Sequence, residues 1–139
     1  MSKKPKTDRK SAVKRADKWF SAYIRARDGY RSVLSGEGPE HGHVMHCGHV
    51  ISRARYATRW DEDNAFCQTA GENFLHEHDP YPFFQWYIDR FGKDALDELH
   101  RKSRETKKYS TQDILDIAEH YRQRYTTLNN GVTLFGSKK

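Results

Sequence analysis

Cysteine is scarce in this chain: only Cys47 and Cys67 occur among 139 residues. No disulfide framework is to be expected from two thiols whose positions do not demand pairing, which points to a reducing, cytoplasmic setting. Long apolar runs are missing as well. None approaches the roughly 18 residues that a membrane span needs, and Met1-Ser2-Lys3-Lys4-Pro5-Lys6 leads into no apolar segment of the secretory type. The expectation is a soluble protein with no membrane partner. Apolar residues make up only 35% of the chain and the mean hydropathy is −1.04, so one small hydrophobic core and one domain are expected. Aromatic residues, at 13%, offset part of that deficit, because each removes a large area from water. There is no internal repeat. Cys-x2-Cys and His-x3-His pairs at two separated places are also lacking, so a structural zinc finger fits poorly.

What is present in excess is positive charge. Lys and Arg number 25 against 19 Asp and Glu, a net +6. Residues 1–35 alone hold eleven basic and three acidic side chains. Such a surface attracts a polyanion, since neutralising phosphates releases condensed counterions. A solvated helix face with a basic tail would show the same composition.

Along the chain, residues 1–10 read as a flexible basic arm, 11–128 as a single domain and 129–139 as a tail. Val13, Ala16, Phe20, Tyr23 and Ile24 fall at helical spacing within 11–27. The glycines between Gly29 and Gly48 break any helix there, and Ser32-Val33-Leu34 and His43-Val44-Met45 suggest two short strands. Asp61-Glu62-Asp63-Asn64 reads as a turn, followed by a short helix over about 69–77. Beyond Pro82 the pattern is helical: an aromatic segment from Phe83 to Phe91 stopped by Gly92, a second short helix through Leu96 and Leu99, and a last helix that starts at Ser110 with Asp113 in a capping-box relation. Asn129-Asn130-Gly131 closes the pattern.

Side chains capable of chemistry concentrate in residues 41–78, which hold six of the eight histidines together with Cys47, Cys67, Asn64, Glu72 and Asn73. Three readings compete: a zinc site, a cysteine nucleophile paired with a histidine, and a one-metal nuclease site. The third has a physical rationale. Cutting a phosphodiester needs a deprotonated water opposite the leaving oxygen, and a neutral imidazole suits that task because its pKa lies near working pH. It also needs positive charge at the scissile phosphate, which a divalent cation supplies.

Cys47-Gly48-His49, the run Ala57-Thr58-Arg59-Trp60-Asp61-Glu62-Asp63-Asn64, and Gln68 followed by Asn73 together resemble the NinG branch of the HNH endonucleases, phage recombination proteins. The likeness spans about residues 18–126, with Tyr23-Ile24-Arg25-Ala26-Arg27-Asp28 before the motif and Phe91-Gly92 and Lys107-Lys108-Tyr109-Ser110 after it. Ser32, Ser35, Thr69 and Glu72 stand where that family commonly carries two Cys-x2-Cys pairs holding zinc. The resemblance therefore implies loss of the structural zinc with the nuclease site retained; a substitute site from Cys47, Cys67 and His41 or His43 is the alternative. It implies an α+β fold, with a small ββα-metal core at about 30–78 embedded in flanking helices. His49 would be the general base and Asn64 the brace of its loop. Asn73 would be the main ligand of Mg²⁺ or Mn²⁺, with His46 and His76 as further ligand candidates. Arg53, Arg55 and Arg59, together with Lys107 and Lys108, would hold DNA. The implied activity is hydrolysis of branched or flapped DNA, for which a homodimer would be suited. The rivals are a module that binds DNA or a partner without cutting and a packaging nuclease acting with a terminase.

Overall fold

The computed structural model describes residues 7–137, with side chains through Asn130. The first helix, α1, runs Arg9–Arg27. Asp8 caps it by accepting from the Ser11 N–H at 2.7 Å, which satisfies one of the donors a helix start leaves free. Ala12, Ala16, Phe20, Tyr23 and Ile24 lie buried along one face. The helix stops where Gly29 and Tyr30 adopt positive φ, at 67° and 60°. Most of residues 1–10, assigned to the arm, lies outside the described residues; Arg9 and Lys10 already belong to α1.

Two five-residue strands follow, β1 (Met45–His49) and β2 (Ala65–Thr69), antiparallel with Met45 opposite Thr69, Cys47 opposite Cys67 and His49 opposite Ala65. Their long connection carries a single helical turn, α2 (Tyr56–Arg59), and a 3-10 turn at Glu62–Asn64. The chain leaves β2 directly into α3 (Ala70–His76), started by a reciprocal cap in which Thr69 Oγ1 accepts from the Glu72 N–H and the Glu72 carboxylate accepts from the Thr69 N–H. Then come α4 (Tyr81–Phe91), α5 (Lys93–Ser103) and α6 (Thr111–Ser137). Gly92, at φ 97°, makes the bend between α4 and α5. The fold is α+β: helix-rich with one two-stranded sheet. Among the described residues, no helix is long and apolar enough to cross a membrane.

The core is divided. Ala12, Ala16, Phe20 and Ile24 of α1 meet Ile114, Ala118 and Tyr121 of α6, with Trp60 and Ala65 closing one end. A second cluster gathers Val50, Ile51 and Phe66 against Phe83, Tyr87, Leu96 and Leu99 of α4 and α5. Each fully buried side chain of the Phe20 or Phe83 kind contributes on the order of 1.5–3 kcal/mol. Adjacent β2 residues feed opposite clusters, Ala65 the first and Phe66 the second, as the alternation of a strand requires.

Three sequence expectations are corrected. Ser32-Val33-Leu34 is not a strand: the Ser32 hydroxyl accepts from the Leu34 and Ser35 N–H groups, closing a local turn, and only the Val33 N–H reaches β2, at Cys67 O. The first strand starts at Met45, and the second is Ala65–Thr69, which the sequence reading left between turn and helix. Finally, α6 continues through Asn129-Asn130-Gly131 to Ser137. The roughly 1 kcal/mol that such residues cost in a helix does not stop one that meets no competing cap.

Candidate active site

His49 is the last residue of β1. Its Nε2 lies 2.9 Å from the Arg59 carbonyl oxygen. A carbonyl can only accept, so Nε2 carries the proton and the Nδ1 lone pair is left free. The ring is packed against Phe20, centroids 5.9 Å apart. Removal from water pushes the His49 pKa down to about 4, against the opposing pull of the Arg59 carbonyl and with nearby Arg53 adding to the drop. The imidazole is therefore neutral at neutral pH and able to accept a proton through Nδ1.

The loop that carries the Arg59 carbonyl is held by Asn64. This side chain is fully buried; its oxygen accepts from the Ile51 N–H at 2.8 Å, and its nitrogen donates to the carbonyls of Ile51 at 2.9 Å and Thr58 at 3.0 Å. The Asn64 carbonyl also accepts from the Val50 N–H. One asparagine thus closes both ends of the loop after His49. Its other support comes from α1. Asp17 accepts two bonds from the Arg59 guanidinium, at 3.0 and 2.6 Å, and one from the Trp60 indole at 2.9 Å. Sequence reasoning missed Asp17, whose only signal is an acid among the basic residues of α1.

A cleft of about 1010 Å³ opens beside His49. It is lined by His46, Arg53, Arg59, Asn73 and His76 together with Ser21 and Arg25 of α1 and Phe84 and His100 from the α4–α5 side. Most of the predicted site residues therefore meet in one place. Asn73 Nδ2 lies 3.2 Å from His46 Nδ1, so those two are in contact. His76 is turned differently: Nε2 donates to the Val50 carbonyl at 2.9 Å, the ring packs at a steep angle against Phe83 and Phe84, and Nδ1 is buried with no hydrogen-bond partner among the described residues. Among the described residues, no group of three or more His, Cys, Asp or Glu side chains is arranged to hold a metal. A cation here would rely on the amide of Asn73 and on His46, a neutral pair that fits an ion keeping much of its water.

The basic residues divide. Arg53 is exposed at the cleft, with one guanidinium nitrogen 3.7 Å from Asp17. Arg59 lines the cleft too, but its guanidinium is committed to Asp17 and to the Arg53 carbonyl. Arg55 is exposed just before α2 and does not line the cleft. Neither do Lys107 and Lys108; Lys107 borders a separate hollow with Asp61, Asp63 and Glu105. Arg25, counted in the sequence only as part of the basic surplus, does reach the cleft. Its helical position beside buried Ile24 is the signal that could have placed it at the edge of the core face.

Away from the cleft, Ser32, Ser35, Thr69 and Glu72 come together. Burial works to raise the Glu72 pKa, but bonds from the Ser32 and Ser35 hydroxyls and from Thr69 overcome it and hold the carboxyl below its ordinary value. Cys47 and Cys67 face each other across the sheet as free thiols, their pKa values pushed by burial up to about 12 and about 11. His41 and His43 instead flank Glu37, at 3.4 and 3.3 Å.

No curated protein and no solved structure matches the chain. The family model described as "Bacteriophage Lambda NinG protein" matches residues 2–131, nearly the whole chain. That span takes in α1, the sheet, the cleft and most of α6, and the chain belongs to the NinG family.

Proposed function

We propose that this protein is a metal-dependent DNA endonuclease of the HNH type, acting on branched or flapped DNA in phage recombination. The observation that carries the reading is the state of His49: Nε2 fixed on the Arg59 carbonyl, Nδ1 free, and the ring neutral at the wall of a cleft that also holds Arg25, Arg53, His46 and Asn73. In this reading Nδ1 takes a proton from a water molecule. The resulting hydroxide attacks phosphorus, and the P–O bond on the far side breaks. Arg53 and Arg25 hold the phosphate by charge and hydrogen bonding. Asn73 and His46 would hold the divalent cation, Mg²⁺ or Mn²⁺, which when bound supplies positive charge at the scissile phosphate. Asn64 and Asp17 act indirectly, by keeping the Arg59 carbonyl where it sets the His49 tautomer.

The test is cleavage of labelled linear, flapped and four-way-junction DNA with Mg²⁺, Mn²⁺ or EDTA, beside His49→Ala. The expected result is cutting with metal, none with EDTA, and a loss of about 10²- to 10⁴-fold in the variant, the usual worth of a positioned general base. Wild-type cleavage by His49→Ala would sink the mechanism. Binding without cutting under every metal would leave a DNA-binding module instead.

A further inference from the structure

Cys47 and Cys67 stand directly opposite each other on β1 and β2. Opposed residues of an antiparallel ladder alternate between pairs that exchange backbone bonds and pairs whose backbone groups point outward. The partners of β2 assign this pair to the second kind. The Cys67 N–H donates to the Asp28 carboxylate at 2.8 Å, and the Cys67 carbonyl accepts from the Val33 N–H at 3.0 Å. Its strand neighbours agree: the Ala65 carbonyl accepts from Arg27, and the Thr69 N–H donates to Glu72. Beyond the ends of the strands, the Val50 N–H donates to the Asn64 carbonyl and the Ala70 N–H to the Val44 carbonyl. Counting inward in twos puts the exchanging pairs at His46–Gln68 and Gly48–Phe66.

In an outward-pointing pair the Cα atoms are about 4.5 Å apart and the two side chains are at their closest. A disulfide spans Cα separations of about 4.4–6.8 Å, so the strands already hold the two sulfurs at bridging distance. Both side chains lie on one face of the sheet. Cys47 packs there against the cluster formed by α1 and α6, and His49, two residues further along β1, meets Phe20 on the same side. Cys67 is fully buried, whereas Cys47 is half-buried and lines the cleft.

We propose that Cys47 and Cys67 are a modification site, converted by hydrogen peroxide into a disulfide across the sheet. Peroxide enters from the cleft. The Cys47 sulfur attacks one peroxide oxygen, the O–O bond breaks, and a sulfenic acid and one water form. The Cys67 sulfur then attacks the Cys47 sulfur, the S–O bond breaks, and a second water leaves with the Cys67 proton. Both sulfurs are oxidised, the peroxide is reduced, and the hydrogens of the two thiols end in water. Burial makes attack at either sulfur slow; nearness selects the disulfide over further oxidation of Cys47. In a reducing medium the pair stays as two thiols. The bridge closes residues 48–66, which carry His49, Arg53, Arg59 and Asn64, at the base of their loop. The assignment stands on the sheet alone and is independent of the nuclease reading.

The experiment treats the folded full chain with hydrogen peroxide, removes the excess with catalase, and unfolds the protein in urea with iodoacetamide present. Tryptic peptides are then read by mass spectrometry. Wild type should give one linked pair of peptides, joined through Cys47 and Cys67 and two hydrogens lighter than their sum, with neither cysteine alkylated. Dithiothreitol should restore both thiols. The unfolding temperature of the bridged protein should rise by roughly 5–10 °C, as expected for closing a loop of about 20 residues. Cys67→Ala, which lacks the second thiol, should instead hold a Cys47 sulfenic acid that dimedone labels, with circular dichroism as its fold control. If that variant does not fold, the wild-type peptides decide the matter. Sulfinic or sulfonic acid at Cys47 with Cys67 alkylated, a bridge between two chains, or two cysteines that stay free in the folded protein would each overturn the proposal. A bridged protein no more stable than the reduced one would overturn the closure of the loop.

Discussion

At His49 two neighbouring groups fix the tautomer and the charge of one side chain. The Arg59 carbonyl decides which nitrogen bears the proton, and packing against Phe20 decides that the ring stays neutral. Because the folded pKa is depressed from 6.5 to about 4, the unfolded chain binds a proton in that window which the folded chain refuses. The stability that neutral His49 retains above pH 6.5 is therefore lost as pH falls through 6.5 toward 4. Replacing His49 with Gln removes the titration, so the unfolding temperature should fall less steeply over that range than in wild type. Thermal unfolding followed by circular dichroism at intervals between pH 7 and 4 tests this, and equal slopes would mean that the folded ring is not dehydrated. For the proposed cleavage, the same shift places the acid limb of the rate profile below the ordinary imidazole value.

Between elements, the decisive join is that of α1 to α2. Asp17 is a single acid that receives the Arg59 guanidinium on two oxygens and the Trp60 indole besides, with Arg59 only 13% exposed. Asp17→Ala leaves a mostly buried guanidinium unpaired, and a destabilisation of about 2–3 kcal/mol is expected in urea unfolding. Asp17→Asn, which keeps one acceptor, should lose less, and Lys14→Ala on the exposed side of the same helix should lose almost nothing. If Asp17→Ala unfolds like wild type, α1 does not support the loop. How far these elements could be read from sequence depends on where their hydrogen bonds go. α1 and the start of α6 were legible because periodicity and caps are local: the expected Ser110 and Asp113 bonds are present in both directions, at 2.9 and 3.0 Å. β2 was not, because all five of its residues are buried and so show no alternation, and its partner strand lies across a 15-residue connection. The site was legible in His46, His49, Asn64 and Asn73 through the motif they form. Asp17 and Arg25 were not, since Arg25 reaches the cleft, and Asp17 reaches Arg59 and Trp60, only through the packing of α1 on α6 and the sheet.

At the scale of the molecule, the two hydrophobic clusters take adjacent residues of β2, and the cleft draws its walls from the helices of both: Ser21 and Arg25 from α1, Phe84 and His100 from α4 and α5. Packing in both clusters thus sets the cleft's width. Its basic surface does not end there. Arg53 and Arg59 also border a second groove of about 600 Å³ on the first turns of α1, lined by Arg9, Lys10, Lys14 and Tyr56. Arg9 is tied to the Tyr109 carbonyl, whereas Lys10 and Lys14 are exposed. If the proposed DNA runs with a phosphate between Arg53 and His49, Lys10 and Lys14 lie along its path on α1, in a groove that Asp17 also lines. Each phosphate contact through a lysine contributes about 0.9 to the slope of log K against log salt on duplex DNA. Replacing Lys10 and Lys14 together by Ala should therefore weaken duplex binding and reduce the slope by about 2, measured by fluorescence anisotropy across a salt series. Lys107→Ala with Lys108→Ala should change the slope little, because Lys107 faces the acidic hollow away from the cleft. The opposite ranking would route the DNA over α5 and the start of α6, and the histidine cleft would then lie off the path of the backbone.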